Sequence, residues 1–443
     1  MAAMTSTSGS ADHLAVLVHG LWGNPSHLAN VAAALRKAYS EDQLHVLVVK
    51  SNSNNFTYDG IELGGERITH EIENKIKELE ASGREIKKLS IVGYSLGGLL
   101  ARYAIGLLFS NGWFDRIQPV NFTTFATPHL GVRTPLLGPH SYLWNILGAR
   151  TLSTSGRQLF LIDSFRDTGR PLLSVMTDPN SIFIRALSTF KHRSLYSNIV
   201  NDRSAVYYTT YITSTDPYVD LDAVELRPLA GTDGVILDPE DPVRPKSLPQ
   251  MGLIERISMS GRSTLQSLPF YVLLTVLVPI GSVVFLANSG IQTFRSAQRV
   301  RLHESGQAGI GIERYRTPLL LEEARSLGDR VYRNLAPDQG EDYLPTPPPE
   351  EEIQEQDHSS KGGVMVEKSK RAGKSHDTKF PTLALAPEQF EMIENLNNVG
   401  WTKYPVHITK VRHSHAAIVV RSNRSGMEQG NIVLTHWTDN FEL

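Results

Sequence analysis

Gly93-Tyr94-Ser95-Leu96-Gly97 is the stretch of this sequence whose residue types could carry covalent chemistry. A serine hydroxyl is a weak nucleophile at neutral pH. Attack on a carbonyl therefore needs a base, usually histidine, and the base needs a carboxylate to fix its tautomer and stabilise the imidazolium. Gly-x-Ser-x-Gly also occurs by chance in ordinary turns, so the setting decides. Here a short apolar run, Leu89-Ser90-Ile91-Val92, leads in, and Leu99, Leu100, Tyr103 and Ala104 follow at helical spacing. Strand, sharp turn and helix form a nucleophile elbow, with the serine strained at the tip and the flanking glycines admitting close approach of strand and helix. Ser95 is the candidate nucleophile.

Around such an elbow the partners follow in the order serine, acid, histidine. Asp202, just past the predicted strand Leu195 to Val200, is the candidate acid, its alternative role being a turn or cap aspartate. Asp163, Asp216 and Asp220 are the reserves. The histidines beyond Asp202 are His303, His358, His376, His407, His413, His415 and His436. His303 follows an arginine-rich segment, His358 and His376 fall in a linker by composition, and His407 lies within a predicted strand. His413 and His415 remain as a strand-end pair. His415 is preferred as base because it immediately precedes Ala416-Ala417-Ile418-Val419-Val420 and should be held by it; His413 is the reserve. A developing oxyanion needs two backbone donors, one directly after the nucleophile and one in a loop after an early strand, which places them at Leu96 and Leu21. His19 reads as a structural loop residue.

The elements that must position these groups can be read from the same chain. Leu14 to Val18 is a buried strand running into His19-Gly20-Leu21-Trp22-Gly23. Asn24 can cap a helix with Pro25 at its first position, and Leu28, Val31, Ala32 and Leu35 then repeat on one face. Leu44 to Val49 is a second strand. Ile68, Ile72, Ile76 and Leu79 give an amphipathic helix stopping near Gly83, and Phe122 to Ala126 is a further strand. Alternation of strand and helix predicts an α/β fold, an open, mostly parallel sheet with helices on both faces and a site at the carboxyl ends of its strands. Residues 13–235 form the core on this reading, with a cap-like insertion over 131–193. Its Leu136, Leu137, Tyr142, Leu143, Trp144, Leu159 and Phe160 serve either as extra helical packing or as a lid or acyl pocket.

Bulk properties exclude little. The 443 residues are 20% charged with a net charge of −2, so no overall field favours nucleic acid, and the absence of cysteine removes disulfides and thiolate ligands. Met1 to Ala11, in a stretch 1–12 expected to be disordered, lacks the charged start and apolar core of a secretory signal. Residues 236–335 form a region with an apolar run at 268–287, long enough for one bilayer span and followed by Arg295, Arg299 and Arg301, which suit anionic headgroups. One full crossing would separate Ser95 and Asp202 from every eligible histidine. Pro279-Ile280-Gly281 near the middle predicts instead two short halves, a hairpin entering and leaving one leaflet, the alternative being a buried core helix. Proline, acidic residues, lysine and serine over 336–380 predict a disordered linker, with order returning over 381–443.

Taken together, Val18-His19-Gly20-Leu21-Trp22-Gly23, Thr57-Tyr58-Asp59-Gly60-Ile61, the elbow, Phe125-Ala126-Thr127-Pro128-His129-Leu130-Gly131-Val132, Ser197-Asn198-Ile199-Val200-Asn201-Asp202 and His413-Ser414-His415-Ala416 resemble the putative serine esterase family of fungal lipases, including its lipid-droplet phospholipase-like members. The resemblance implies an α/β-hydrolase fold with Ser95, Asp202 and His415 as the triad, hydrolysis of acyl esters of glycerolipids without a cofactor, and a location at an intracellular membrane, endoplasmic reticulum or lipid-droplet surface. Phospholipid and neutral acylglycerol both stay open as substrates. The competing readings are acyl transfer to another alcohol, thioester hydrolysis, and a catalytically silent lipid-surface scaffold.

Overall fold

The computed structural model describes residues 11–133, 152–246, 268–311, 313, 315 and 380–443, with only the helical backbone path described over 268–285. The expected linker 336–379 lies outside the described residues, as do Leu136, Leu137, Tyr142, Leu143 and Trp144.

Six strands form one parallel sheet in the order β2-β1-β3-β4-β5-β8: β1 (His13–Val18), β2 (His45–Val48), β3 (Lys88–Tyr94), β4 (Gln118–Phe125), β5 (His192–Asn198) and β8 (Thr402–Val406). This is the α/β-hydrolase arrangement, with the elbow after a central strand. Alternation along β1 shows why both faces are covered. Leu14, Val16 and Val18 join a core with α2 (Ile61–Ala81) and α3 (Leu96–Ser110), while Ala15 and Leu17 join the opposite core with α1 (Ala29–Ala38). Ile68, Ile72, Ile76 and Leu79 are all buried, as their spacing requires.

Beyond Gly131, the described part of the insertion is packed protein. Three short helices, α4 (Ser153–Leu159), α5 (Leu172–Val175) and α6 (Ile182–Ser188), bury Leu159, Leu172 and Phe183 in the first core. After β5 come α7 (Tyr207–Tyr211) and a small antiparallel hairpin, β6 (Val224–Leu226) with β7 (Val243–Pro245).

Leu268–Glu304 is one continuous helix, α8, and so differs from the expected hairpin. Pro279 removes a single donor from the ladder of a 37-residue helix, and the remaining bonds carry the helix through. Among the described residues no helix is long and apolar enough to cross a membrane. A single crossing by the run is also incompatible with topology, because β5 precedes it, β8 follows it, and the two pair directly from Ser194 with Thr402 to Asn198 with Val406. The last part of the chain adds α9 (Pro387–Asn398), a one-turn α10 (Ser414–Ala417) and α11 (Gln429–Asp439), which packs beside α1.

His13 joins the start of β1 to Ser90, 2.8 Å away, and stacks on Phe441. Burial, aided by nearby Lys88, pushes its pKa down to about 4. In that window below the ordinary 6.5 the unfolded chain binds a proton that the folded chain does not, so stability falls as pH falls, by about 3 kcal/mol in all. Buried His129 acts in the same direction. Denaturant unfolding followed from about pH 7 to about pH 4.5 should therefore show a loss of stability that His13→Asn makes shallower. An unchanged slope in that variant would assign the proton uptake elsewhere.

Candidate active site

The elbow forms because a tight turn between β3 and α3 is sterically open only with glycine around it. Ser95 sits at φ 56° and ψ −130°, a conformation costly for any residue with a Cβ. Its N–H donates to Phe125 O at 2.9 Å, which fixes the strained residue to β4. A Cβ on Gly97 would lie 2.2 Å from Val18 O, so α3 presses directly on the end of β1. On the other side Gly20 closes against Ser95, its absent Cβ being only 2.7 Å from Ser95 Cβ.

Asp202 follows β5 and His415 lies in α10, so residues 320 positions apart in sequence meet at Ser95. His415 Nδ1 donates to Asp202 Oδ2 at 2.8 Å, which leaves Nε2 as acceptor for the Ser95 hydroxyl at 2.9 Å. Asp202 Oδ1 accepts from the N–H groups of Ser204 and Ala205, and Asn198 Nδ2 donates to Oδ2 at 3.0 Å. Burial alone would raise this carboxyl; the opposing charge and hydrogen bond of His415, with the donors from Ala205 and Asn198, outweigh it and hold the pKa below the ordinary value. Asp202 is therefore ionised at neutral pH, as a partner for an imidazolium requires.

His415 differs from expectation in its setting. Ser414–Ala417 is a helical turn rather than the mouth of a strand, since β8 has already ended at Val406. The turn is tied down by Ser414 Oγ donating to Val200 O at 2.6 Å and by Tyr94 OH donating to His415 O at 2.9 Å. Tyr94 and Asn198 thus support the site, although no spacing rule marks them; both lie beside residues that do stand out, Ser95 and Asp202. His413 caps the turn and is exposed.

The reserve carboxylates lie elsewhere: Asp163 accepts from Leu172 N, while Asp216 and Asp220 close turns at Tyr218 and Asp222. His303 is buried against Glu66, and His407 lies just past β8 rather than in it. His19 is buried in the loop after β1, against Gly20 O and Ser53. Leu96 begins α3, where an N–H has no carbonyl one turn earlier to bond, and Leu21 is half-buried in the loop closing on Ser95. Arg295 and Arg301 are exposed, but Arg299 turns inward to Asp59 and is committed there. That ion pair removes Arg299 from the expected set of headgroup contacts.

The arrangement can deprotonate a serine hydroxyl, store the proton on an imidazole and stabilise the resulting cation. The chain is 31% identical over 216 residues to "Putative lipase ROG1" of Saccharomyces cerevisiae, and 31% identical over 220 residues to "Putative lipase C4A8.10" of Schizosaccharomyces pombe. Each match covers 48% of this chain but only 30% and 27% of those relatives, so the chain spans less than a third of their length. Among solved structures, similarity is found to an esterase of Rhizomucor miehei, with 16% identity, TM-score 0.27, and coverage of 44% of this chain and 58% of the other. The phospholipase PlaB of Legionella pneumophila shows 12% identity, TM-score 0.28, and coverage of 46% and 42%. Residues 8–215, which carry the elbow and Asp202, match the family described as "Putative serine esterase (DUF676)".

Proposed function

We propose that this protein is a serine carboxylic-ester hydrolase acting on acyl esters of glycerolipids. The observation that carries the proposal is the unbroken series Ser95 Oγ, His415 Nε2, His415 Nδ1, Asp202 Oδ2, with 2.9 and 2.8 Å links. In the first half-reaction Ser95 Oγ attacks the acyl carbonyl as its proton passes to His415 Nε2, and the oxyanion is bound by the N–H groups of Leu21 and Leu96. Collapse expels the alcohol, which takes the proton from His415, leaving the acyl group on Ser95. A water activated by His415 then attacks the acyl-enzyme, releases the fatty acid and restores the serine.

The lipase names of the fungal relatives support a lipid substrate. The proposal extends to contact with a membrane or lipid-droplet surface through 268–287, with Arg295 and Arg301 beside it. Leu286, Ile291, Phe294 and Leu302 are exposed along the described part of α8, and a helix that begins and ends on the side of its own domain can lie on a lipid surface without crossing it.

Fatty-acid release from mixed phospholipid and acylglycerol vesicles tests the proposal. The parent protein should release fatty acid and Ser95→Ala should not, and the lipid consumed names the substrate. Equal release by both, or none by either, would favour the silent scaffold. Products formed with and without an added alcohol separate hydrolysis from acyl transfer.

A further inference from the structure

The stretch Thr57-Tyr58-Asp59-Gly60 takes no part in the triad, yet it holds the loop on which the oxyanion site depends. Trp22, directly after Leu21, has φ 54°, a conformation that a bulky side chain adopts only under restraint. Two hydrogen bonds supply the restraint: Trp22 N to Thr57 Oγ1 at 3.1 Å, and Trp22 Nε1 to Tyr58 OH at 2.7 Å. Asn54 N adds a bond to Gly23 O at 2.6 Å. The loop after β1 is therefore fastened along the segment 54–58.

That segment is in turn fastened from below. The Asp59 side chain is fully buried and accepts from Arg67 Nη1 at 2.9 Å and from Arg299 Nε and Nη2 at 2.7 to 3.1 Å. Arg299 Nη2 also donates to Asn55 O at 2.9 Å, and Ser296 Oγ reaches Tyr58 O at 3.3 Å. Arg299 stands on α8, 240 residues along the chain and on the helix that begins in the apolar run. Since Arg67 alone would leave Asp59 paired, burial of that carboxylate does not by itself call for a second guanidinium. What Arg299 adds is a planar fork joining Asp59 to the carbonyl of Asn55, across the segment that carries Thr57 and Tyr58.

We infer that Asp59 and Arg299 are positioning residues for ester hydrolysis: through Thr57, Tyr58 and Trp22 they hold the Leu21 N–H where the oxyanion forms. The inference rests on the proposed role of Leu21 and makes α8 part of the catalytic frame. Neither residue touches the reacting atoms. Loosening the clamp should therefore move the transition state more than the bound ester, lowering kcat with little change in KM.

The test uses a water-soluble p-nitrophenyl butyrate, so that no lipid surface enters, together with hydrogen exchange of the peptide covering 19–24. Arg299→Ala should lower kcat on the order of 10- to 100-fold with KM within about twofold of the parent. Arg299→Lys, which keeps the charge but loses the fork, should fall between the two. In Asp59→Asn protein, adding Arg299→Ala should cost little more, because both substitutions open the same clamp. Exchange over 19–24 should accelerate in Arg299→Ala while the peptide carrying Asp202 keeps its protection, a pattern that general unfolding would not give. A kcat near the parent value with unchanged exchange over 19–24 overturns the inference, as does an effect confined to KM. If the parent fails to turn over the ester, or Ser95→Ala retains activity, the esterase proposal fails instead, and the exchange of 19–24 still decides whether Arg299 holds the loop.

Discussion

Replacing His415 by alanine is expected to lower kcat for ester hydrolysis by on the order of 10^4-fold or more, whereas His413→Ala should leave it within about twofold of the parent. The two histidines look equivalent on paper, and geometry separates them. His415 lies within the helical turn and faces Ser95, whereas His413 is the cap residue before the turn and is exposed to solvent. His415 is also pinned through its own carbonyl by Tyr94 OH, and its side chain is only 13% exposed. Truncation at 415 leaves Asp202 with donors from Ser204, Ala205 and Asn198, so the carboxylate is not abandoned and the fold should survive. An unchanged thermal midpoint beside a collapsed kcat, with partial recovery in added imidazole, would place the loss in proton transfer. A comparable loss in His413→Ala would make that residue the base.

The elbow and its acid are legible in the sequence for a local reason. Ser95 follows directly on β3 and Asp202 lies in the loop just after β5, and in a parallel sheet the positions after strand ends converge. Ile68, Ile72, Ile76 and Leu79 declare the buried face of α2 in the same way, because period and burial are one fact for a helix. His415 is harder to reach. Elimination leads to the pair, but the Ala-Ala-Ile-Val-Val run after it suggests a strand, whereas Ser414 and Tyr94 hold a helical turn there by contacts from distant parts of the chain. The path of 268–304 is misread because a proline beside a glycine weakens a helix locally, while a 37-residue ladder is a property of the whole segment. The bond between Asp59 and Arg299 has no local signature: nothing near either residue requires a partner 240 positions away. What is legible is the chemistry carried by neighbours in sequence, and what is hidden is the support carried by neighbours in space.

Gly97→Ala should be strongly damaging to both fold and catalysis. Its new Cβ would stand 2.2 Å from Val18 O and 2.6 Å from His19 O, and both are backbone atoms with no rotamer to yield. Relief requires α3 to lift from the end of β1, but β1 is the buried, twice-paired interior of the sheet. Overpacking of this kind costs about 3 kcal/mol, which for a protein of this size lowers the melting midpoint by about 4 °C. Gly290→Ala supplies the contrast. That glycine is exposed within α8 and its Cβ would meet nothing within 4 Å, so alanine should stabilise the helix by about 0.5–1 kcal/mol. Differential scanning of the two variants separates steric exclusion from helix propensity, since propensity alone favours alanine at both sites. The catalytic consequence should exceed the thermal one. Lifting α3 from β1 separates Leu96 from the loop at Gly20 and Leu21, the two sides of the proposed oxyanion site, so the fraction of Gly97→Ala protein that still folds should hydrolyse esters poorly. If it instead retained both its midpoint and its kcat, the close contact of α3 with β1 would not be what positions the nucleophile.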